Sequence, residues 1–207
     1  MRSATLEKDP VNERTLTFGV VRREDAQALA AFFERVGSPC YCQYWRFNGN
    51  TNAWLARCSE DGENARALAI ELEEHSGHEL TGVIARDASA KVVGWVRLTP
   101  SERLRKIYDQ RLYHGLECFR GERAGVYTVG CFLVDPEQRR QGVATGLLRA
   151  GIEAAQAAGA RAVEAFPRRA ELLGDEECQL GPYALFEREG FELVHDFGPY
   201  PVLRRVL

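Results

Sequence analysis

The chain has 207 residues, 45% apolar and 28% charged, with a formal net charge of −3. That length and composition describe one globular domain large enough to bury a core without staples. The charge excludes a general nucleic-acid binder, because nothing supplies a protein-wide positive field, and no apolar run nears the roughly 20 residues that cross a bilayer.

Residues 1–14 are polar, without the apolar centre of an export signal. They read as a flexible tail ahead of a domain over 15–207, which places the protein in the cytoplasm. Leu16–Arg22 is rich in β-branched residues and predicts a strand. A helix follows from Arg23 to about Val36, with Ala26, Leu29, Ala30 and Phe33 on one face, and Gly37-Ser38-Pro39 ends it. Residues 40–50 are dense in aromatics. Helices are expected over Asn52–Cys58 and Asn64–His75. Leu80–Arg86 and Lys91–Thr99 read as strands joined by a hairpin loop. Residues 100–123 are polar and irregular, with a helix expected around Glu102–Tyr108. Val126–Val134 is the next strand, and Ala144–Ala158 is an amphipathic helix stopped by Gly159. Arg161–Phe166 is a strand cut by Pro167. A short helix over Pro182–Glu189 precedes strands at Phe191–His195 and Val202–Leu207.

The strand–helix–strand unit from Val126 to Phe166 implies a parallel pair with a right-handed crossover. The flanking hairpins imply antiparallel pairing. The expected fold is therefore a single α/β domain with a mixed sheet. Six cysteines (40, 42, 58, 118, 131, 178) form no regular framework and read as reduced thiols. Cys40-x-Cys42, even with Cys58 and a histidine from His75, His78 or His114, lacks a second matching pair, so no metal is expected.

The most informative stretch is Cys131–Ala150. An apolar run ends at Asp135-Pro136, and a basic turn, Gln138-Arg139-Arg140-Gln141-Gly142, opens a helix. Such a corner offers main-chain amides and a helix dipole to an anion. Gly142 lets backbone approach a ligand, and two arginines suit phosphate oxygens. The same residues also describe an ordinary strand–turn–helix connection with solvated arginines.

The order of elements resembles the GNAT superfamily of N-acetyltransferases over residues 16–207. Its hallmark (Arg/Gln)-x-x-Gly-x-(Gly/Ala) is matched by Arg139-Arg140-Gln141-Gly142-Val143-Ala144. Phe132-Leu133-Val134-Asp135-Pro136 is similar to the family's fourth-strand ending. Leu185-Phe186-Glu187-Arg188-Glu189-Gly190-Phe191 is similar to its last helix and Gly-Phe strand. Cys40-Tyr41-Cys42 with Trp45, and Val163–Pro167, resemble a poorly described bacterial branch that implies no substrate.

The resemblance implies a mostly antiparallel sheet with a central parallel pair that splays apart, flanked by helices. It implies acetyl-CoA as donor and no metal. The diphosphate would lie on the amides of Arg140, Gln141, Gly142, Val143, Ala144 and Thr145, with Arg139 beside it. Phe132 and Val134 would offer backbone groups to the pantetheine arm, and the Leu133 amide would meet the oxyanion. Phe186 would also face the coenzyme. An amine of a small molecule or peptide would attack the thioester directly in a ternary complex.

Two departures bear on catalysis. Position 186 is Phe where many family members carry the Tyr that protonates the thiolate, so Tyr183, about one helical turn earlier, is a substitute acid, or else a packing residue. The usual strand-four Glu falls near Thr128. Glu164, which interrupts an apolar strand, is then a candidate base, or else a salt-bridge partner. His114, His195 and Cys131 are weaker candidates that also read as packing residues. Tyr41, Tyr44 and Trp45, with Phe47 and Trp54, form an expected acceptor wall suited to apolar or cationic molecules, or part of a helix-packing core. A non-catalytic acyl-CoA sensor of the same fold is the alternative to an enzyme. A different phosphate ligand is disfavoured, since neither Gly-Lys-Ser/Thr nor G-x-G-x-x-G follows the turn. Neither nucleic acid nor membrane is an expected partner, and the sequence leaves a homodimer open.

Overall fold

Val92 to Thr99 are all buried, because this strand has helices on both faces and so reads as a nearly unbroken apolar run. In the computed structural model, which describes residues 16–60, 62–75, 77–169 and 179–207, it is the third of seven strands. These are β1 (Thr17–Val20), β2 (Gly82–Arg86), β3 (Val92–Pro100), β4 (Val126–Val134), β5 (Ala162–Ala165), β6 (Glu192–His195) and β7 (Val202–Val206). They form one sheet in the order β1-β2-β3-β4-β5-β7-β6. The tail 1–14, Asp61 and Cys178 lie outside the described residues.

Side chains alternate across the sheet. On one face Val83, Ala85, Val93 and Leu98 pack on Leu147, Leu148 and Ile152 of α5 (Val143–Ala157). On the other, Ile84, Val92 and Trp95 pack on Phe32 and Phe33 of α1 (Ala26–Arg35) and on Leu68 and Leu72 of α3 (Glu63–His75). Gly94 brings α5 close to the sheet: a Cβ there would lie 2.7 Å from Val143 Cγ1. A third cluster joins Leu104, Ile107, Tyr113, Phe166 and Val202. It seats the 101–119 segment on the far half of the sheet. There the expected helix is two pieces, a 3-10 turn at Ser101–Leu104 and a single turn, α4 (Arg105–Tyr108). The other helices are α2 (Thr51–Ser59) and α6 (Tyr183–Arg188). No helix among the described residues is long and apolar enough to cross a membrane.

All strand pairs are antiparallel except β4–β5, which is parallel and holds only three residue pairs, Val126↔Ala162, Tyr127↔Val163 and Thr128↔Glu164. Beyond Thr128, β4 continues to Val134 without β5 beside it, so the expected splay is present. A β-bulge marks the parting. Arg97 pairs with Cys131 but Leu98 pairs with Val129, which leaves Gly130 as the extra residue. A Cβ on Gly130 would lie 2.7 Å from Leu104 Cδ1 and 3.2 Å from Arg97 Cδ. A glycine is therefore what lets β4 bend over these two side chains.

Candidate active site

Beyond the bulge, β4 runs into the basic turn. The Asp135 carboxylate accepts from the Glu137 amide at 3.1 Å and from Arg35 Nε at 3.2 Å. It thereby caps a 3-10 turn at Pro136–Gln138. Arg140 (φ +59°) and Gly142 (φ +81°) are both left-handed, and alternating handedness turns successive amides inward to make a concave surface. A Cβ built on Gly142 meets nothing within 4 Å, so the turn faces open space. By helix geometry the first amides of α5, at Val143, Ala144 and Thr145, have no acceptor within the helix. Gln141 Nε2 donates to the Glu137 carbonyl at 2.9 Å, and Arg139 Nε to the Val134 carbonyl at 3.4 Å. These bonds stiffen the corner.

A cleft of about 1300 Å³ lies between residues 36–45, α2, the outer half of β4, the start of α5 and residues 179–182. Of the residues expected at the site, Phe132, Leu133, Val134, Arg139, Ala144, Tyr44 and Trp45 line it. Trp54, Leu55, Gly130 and the thiols of Cys40, Cys42, Cys58 and Cys131 join them. Other expected site residues sit elsewhere. The Tyr41 ring stacks on Phe33 at 4.9 Å in the α1 core. Phe186 is fully buried between Phe132 (6.1 Å) and Phe191 (5.1 Å). The Val143 side chain belongs to the core under α5, so only its backbone is available. Tyr183 packs on the main core with the Arg169 guanidinium 5.4 Å from its ring centre. None of these four side chains lines the cleft.

Strand alternation decides which β4 amides face the splay. The Asp135 N–H donates to the Val93 carbonyl at 2.9 Å, toward β3. Leu133, two residues back and opposite Trp95, therefore also faces β3. Its amide belongs to that ladder and does not point at the gap, which corrects the expectation placed on it. Phe132 faces the gap: its N–H donates to the Gln179 carbonyl at 2.7 Å. The sequence carried one signal for this geometry, an isolated glycine (Gly130) inside a strand pattern.

Glu164 is fully buried at the last parallel pair, and every lone-pair direction is occupied. Arg123 grips it in a fork, Nη1 to Oε1 at 2.9 Å and Nη2 to Oε2 at 2.6 Å. Arg204 donates to Oε1 through Nε at 3.0 Å and Nη2 at 2.5 Å. The Tyr108 hydroxyl donates to Oε2 at 2.6 Å, and the Thr128 hydroxyl lies 2.5 Å from the Tyr108 oxygen. Burial pushes the Glu164 carboxyl up, but the hydrogen bonds from Arg123 and Tyr108 outweigh it and hold the group below its ordinary value. Glu164 does not line the cleft. The sequence showed a carboxylate in an apolar strand. It did not show Arg123 and Tyr108, which arrive from the irregular 101–123 segment.

The aromatic side of the cleft rests on a second buried carboxylate, Glu71 of α3. Arg97 forks onto it at 2.6 and 3.0 Å, Gln43 donates at 2.9 Å, and Arg46 also pairs with it. Burial raises the Glu71 pKa, and the adjacent Arg97 charge and hydrogen bonds overcome this, bringing it to about 2. Gln43 and Arg46 belong to the segment that carries Tyr44 and Trp45, so the network fixes the aromatic wall to β3 beside the bulge. The preceding turn is strained: Tyr41 (φ +46°) and Cys42 (φ +54°) are consecutive non-glycine residues in the left-handed region. Among the described residues no group of three or more His, Cys, Asp or Glu side chains is arranged to hold a metal.

Comparison with known proteins agrees with this architecture. The family described as "Acetyltransferase (GNAT) family" matches residues 39–172. No curated protein sequence matches the chain. Among solved structures, the PaiA N-acetyltransferase of Thermoplasma acidophilum, in complex with coenzyme A, superposes with a TM-score of 0.57 at 11% identity, covering 93% of this chain and 99% of that one. A GCN5-related N-acetyltransferase from Kribbella flavida gives 0.55 at 19% identity, with 93% and 98% covered. A GNAT-family acetyltransferase from Streptococcus pneumoniae gives 0.55 at 15%, with 93% and 100% covered. At these identities the superpositions speak for the fold, and the fold is the expected splayed, mixed sheet. The family match spans well over half of the sequence, and with it the chain belongs to the GNAT acetyltransferase family.

Proposed function

We propose that this protein is a cytoplasmic N-acetyltransferase that moves the acetyl group of acetyl-CoA directly to an amine of a small molecule or peptide. One observation carries the reading. The stretch of β4 beyond Thr128, free of β5, and the two ends of the basic turn, Arg139 and Ala144, border a single cleft, with the aromatic residues Tyr44 and Trp45 on its far wall, and the turn itself is open at Gly142. An extended ligand with a carbonyl-bearing arm and a diphosphate fits that layout from end to end.

The diphosphate lies on the amides from Arg140 to Thr145, with Arg139 beside it. Val134 and Phe132 present backbone groups to the arm. The Phe132 N–H, which holds the Gln179 carbonyl in this structure, is the donor suited to a thioester oxygen; one such donor contributes about 3 kcal/mol where charge develops. The amine nitrogen forms a bond to the carbonyl carbon, the C–S bond breaks, and the nitrogen's surplus proton ends on the departing sulfur by way of water. Much of the rate then comes from holding the two reactants together.

Glu164 acts in this scheme as an anchor for the 101–123 segment, because a carboxylate held by two guanidinium groups and a phenol is a poor proton acceptor. Tyr183 acts as a packing residue. The lack of a dedicated acid and base in these positions favours one other reading, a sensor that binds acyl-CoA without turnover.

Equilibrium binding of CoA and release of CoA thiol on adding amines test the proposal. Wild type is expected to bind CoA and release thiol faster than hydrolysis alone. Gly142→Glu is expected to weaken CoA binding by more than a hundredfold while the protein stays folded. Undiminished affinity in that variant removes the corner from the site, and bound CoA with no turnover for any amine leaves the sensor.

A further inference from the structure

Among the described residues, the cleft wall opposite β4 carries no charged side chain. Its rings are Tyr44, Trp45 and Trp54, packed edge to face at 4.8 and 5.3 Å, and Leu55 and Pro39 complete it. Three thiols face the same space. A hydrogen bond with Cys42 and burial raise the Cys40 pKa, and burial raises those of Cys42 and Cys58. All three are therefore neutral at physiological pH. One ring of this wall already holds a cation: Lys106 Nζ lies 4.2 Å from the Tyr44 ring centre and 5.4 Å from that of Phe47. A second positive charge at that cluster meets repulsion as well as a shared quadrupole.

The proton chemistry points the same way. Among the described residues the titratable groups lining the cleft are Arg139, Tyr44 and the thiols of Cys40, Cys42, Cys58 and Cys131, and Glu164 is locked outside it. An alkylamine with a pKa near that of lysine, about 10.4, is neutral in only about one molecule in 2,500 at pH 7. An amine whose lone pair is delocalised into a ring or an acyl group arrives neutral and needs no base.

We infer that the acceptor is a weakly basic amine carried on a flat apolar body, of the arylamine or aryl hydrazide class, bound against Trp45, Trp54 and Leu55. This rests on the acetyl-transfer reading above. The arylamine nitrogen bonds to the acetyl carbon, sulfur leaves with the electron pair of the C–S bond, and the surplus N–H proton passes to water and then to the CoA thiolate.

The test compares aniline, benzohydrazide, phenethylamine and putrescine at saturating acetyl-CoA from pH 6 to 9, following the acetylated product. Aniline and the hydrazide are expected to give kcat/KM at least tenfold above phenethylamine at pH 7, with flat pH profiles. The phenethylamine value is expected to rise about tenfold per pH unit, as its neutral fraction does. Leu55 is 61% exposed, so Leu55→Glu keeps the fold, and it is expected to shift the aniline-to-putrescine ratio at least tenfold toward putrescine. Preference for putrescine in wild type, a flat phenethylamine profile, or an unmoved ratio in Leu55→Glu overturns the assignment while leaving acetyl transfer in place. Acetyl-CoA binding without acetylation of any of the four also overturns the assignment, and only the absence of thiol release with every amine overturns acetyl transfer.

Discussion

The two halves of the cleft are built by different means. The half proposed to hold the coenzyme is contiguous backbone: β4, a turn and the start of α5, all within residues 126–145. The aromatic half, proposed to receive the acceptor, is assembled from afar, with Gln43 and Arg46 tied through Glu71 to Arg97, Gln43 and Glu71 being 28 residues apart and Glu71 and Arg97 26. The first kind of site depends on main-chain shape and tolerates change in its side chains. The second depends on a few buried charges, so its integrity is a question of stability before it is one of chemistry.

The sharpest break in that contrast is Glu71→Gln. It leaves Arg97, which is fully buried, without its counter-ion, and breaking such a pair costs about 3–5 kcal/mol. At about 2–4 °C per kcal/mol for a chain of this size, thermal unfolding should report a fall of roughly 10 °C. An unchanged midpoint would mean that the aromatic wall is held by something else. Acid probes the same pair without mutation. The Glu71 pKa of about 2 in the folded protein lies below its unfolded value of 4.5. Its contribution is therefore complete above pH 4.5 and disappears as pH falls from there toward 2. The loss is on the order of 3 kcal/mol. A stability curve flat across that window would contradict the ion pair.

At the β4–α5 turn the stability effects are smaller. The Gly142→Glu variant should lose only about 1 kcal/mol, the cost of a side chain at φ +81°, so affinity and stability separate there as they do not at Glu71. The smallest expected effect is on the shape of a curve. Glu164→Gln, if the group is an anchor, lowers stability but leaves the pH dependence of kcat/KM superimposable on that of wild type. A titration step missing from the variant's profile would make Glu164 the base.

What could be read in advance divides along the same line. The element order, the parallel pair and the Arg139–Ala144 turn are local patterns in a contiguous stretch, and each is where the sequence indicates. Tyr41 and Tyr44 are three residues apart in one aromatic run, yet one stacks in the α1 core and the other faces the cleft. The left-handed turn at Tyr41 and Cys42 decides between them, and periodicity carries no trace of it. The partners of Glu164 were equally hidden, because Arg123 and Tyr108 lie in a segment without a repeating pattern. The direction of the Leu133 amide is hidden for a simpler reason: strand alternation fixes it only once the register against β3 is known.

The bond from the Phe132 amide to the Gln179 carbonyl sets how a coenzyme would be retained. A ligand carbonyl arriving at that amide swaps one main-chain acceptor for another of similar strength, so the exchange is close to thermoneutral. Grip must then reside at the phosphate end, and the reactive end discriminates without attracting. Under the proposed acetyl transfer, a spent coenzyme there would meet a ready competitor in the protein's own chain, which would favour its departure.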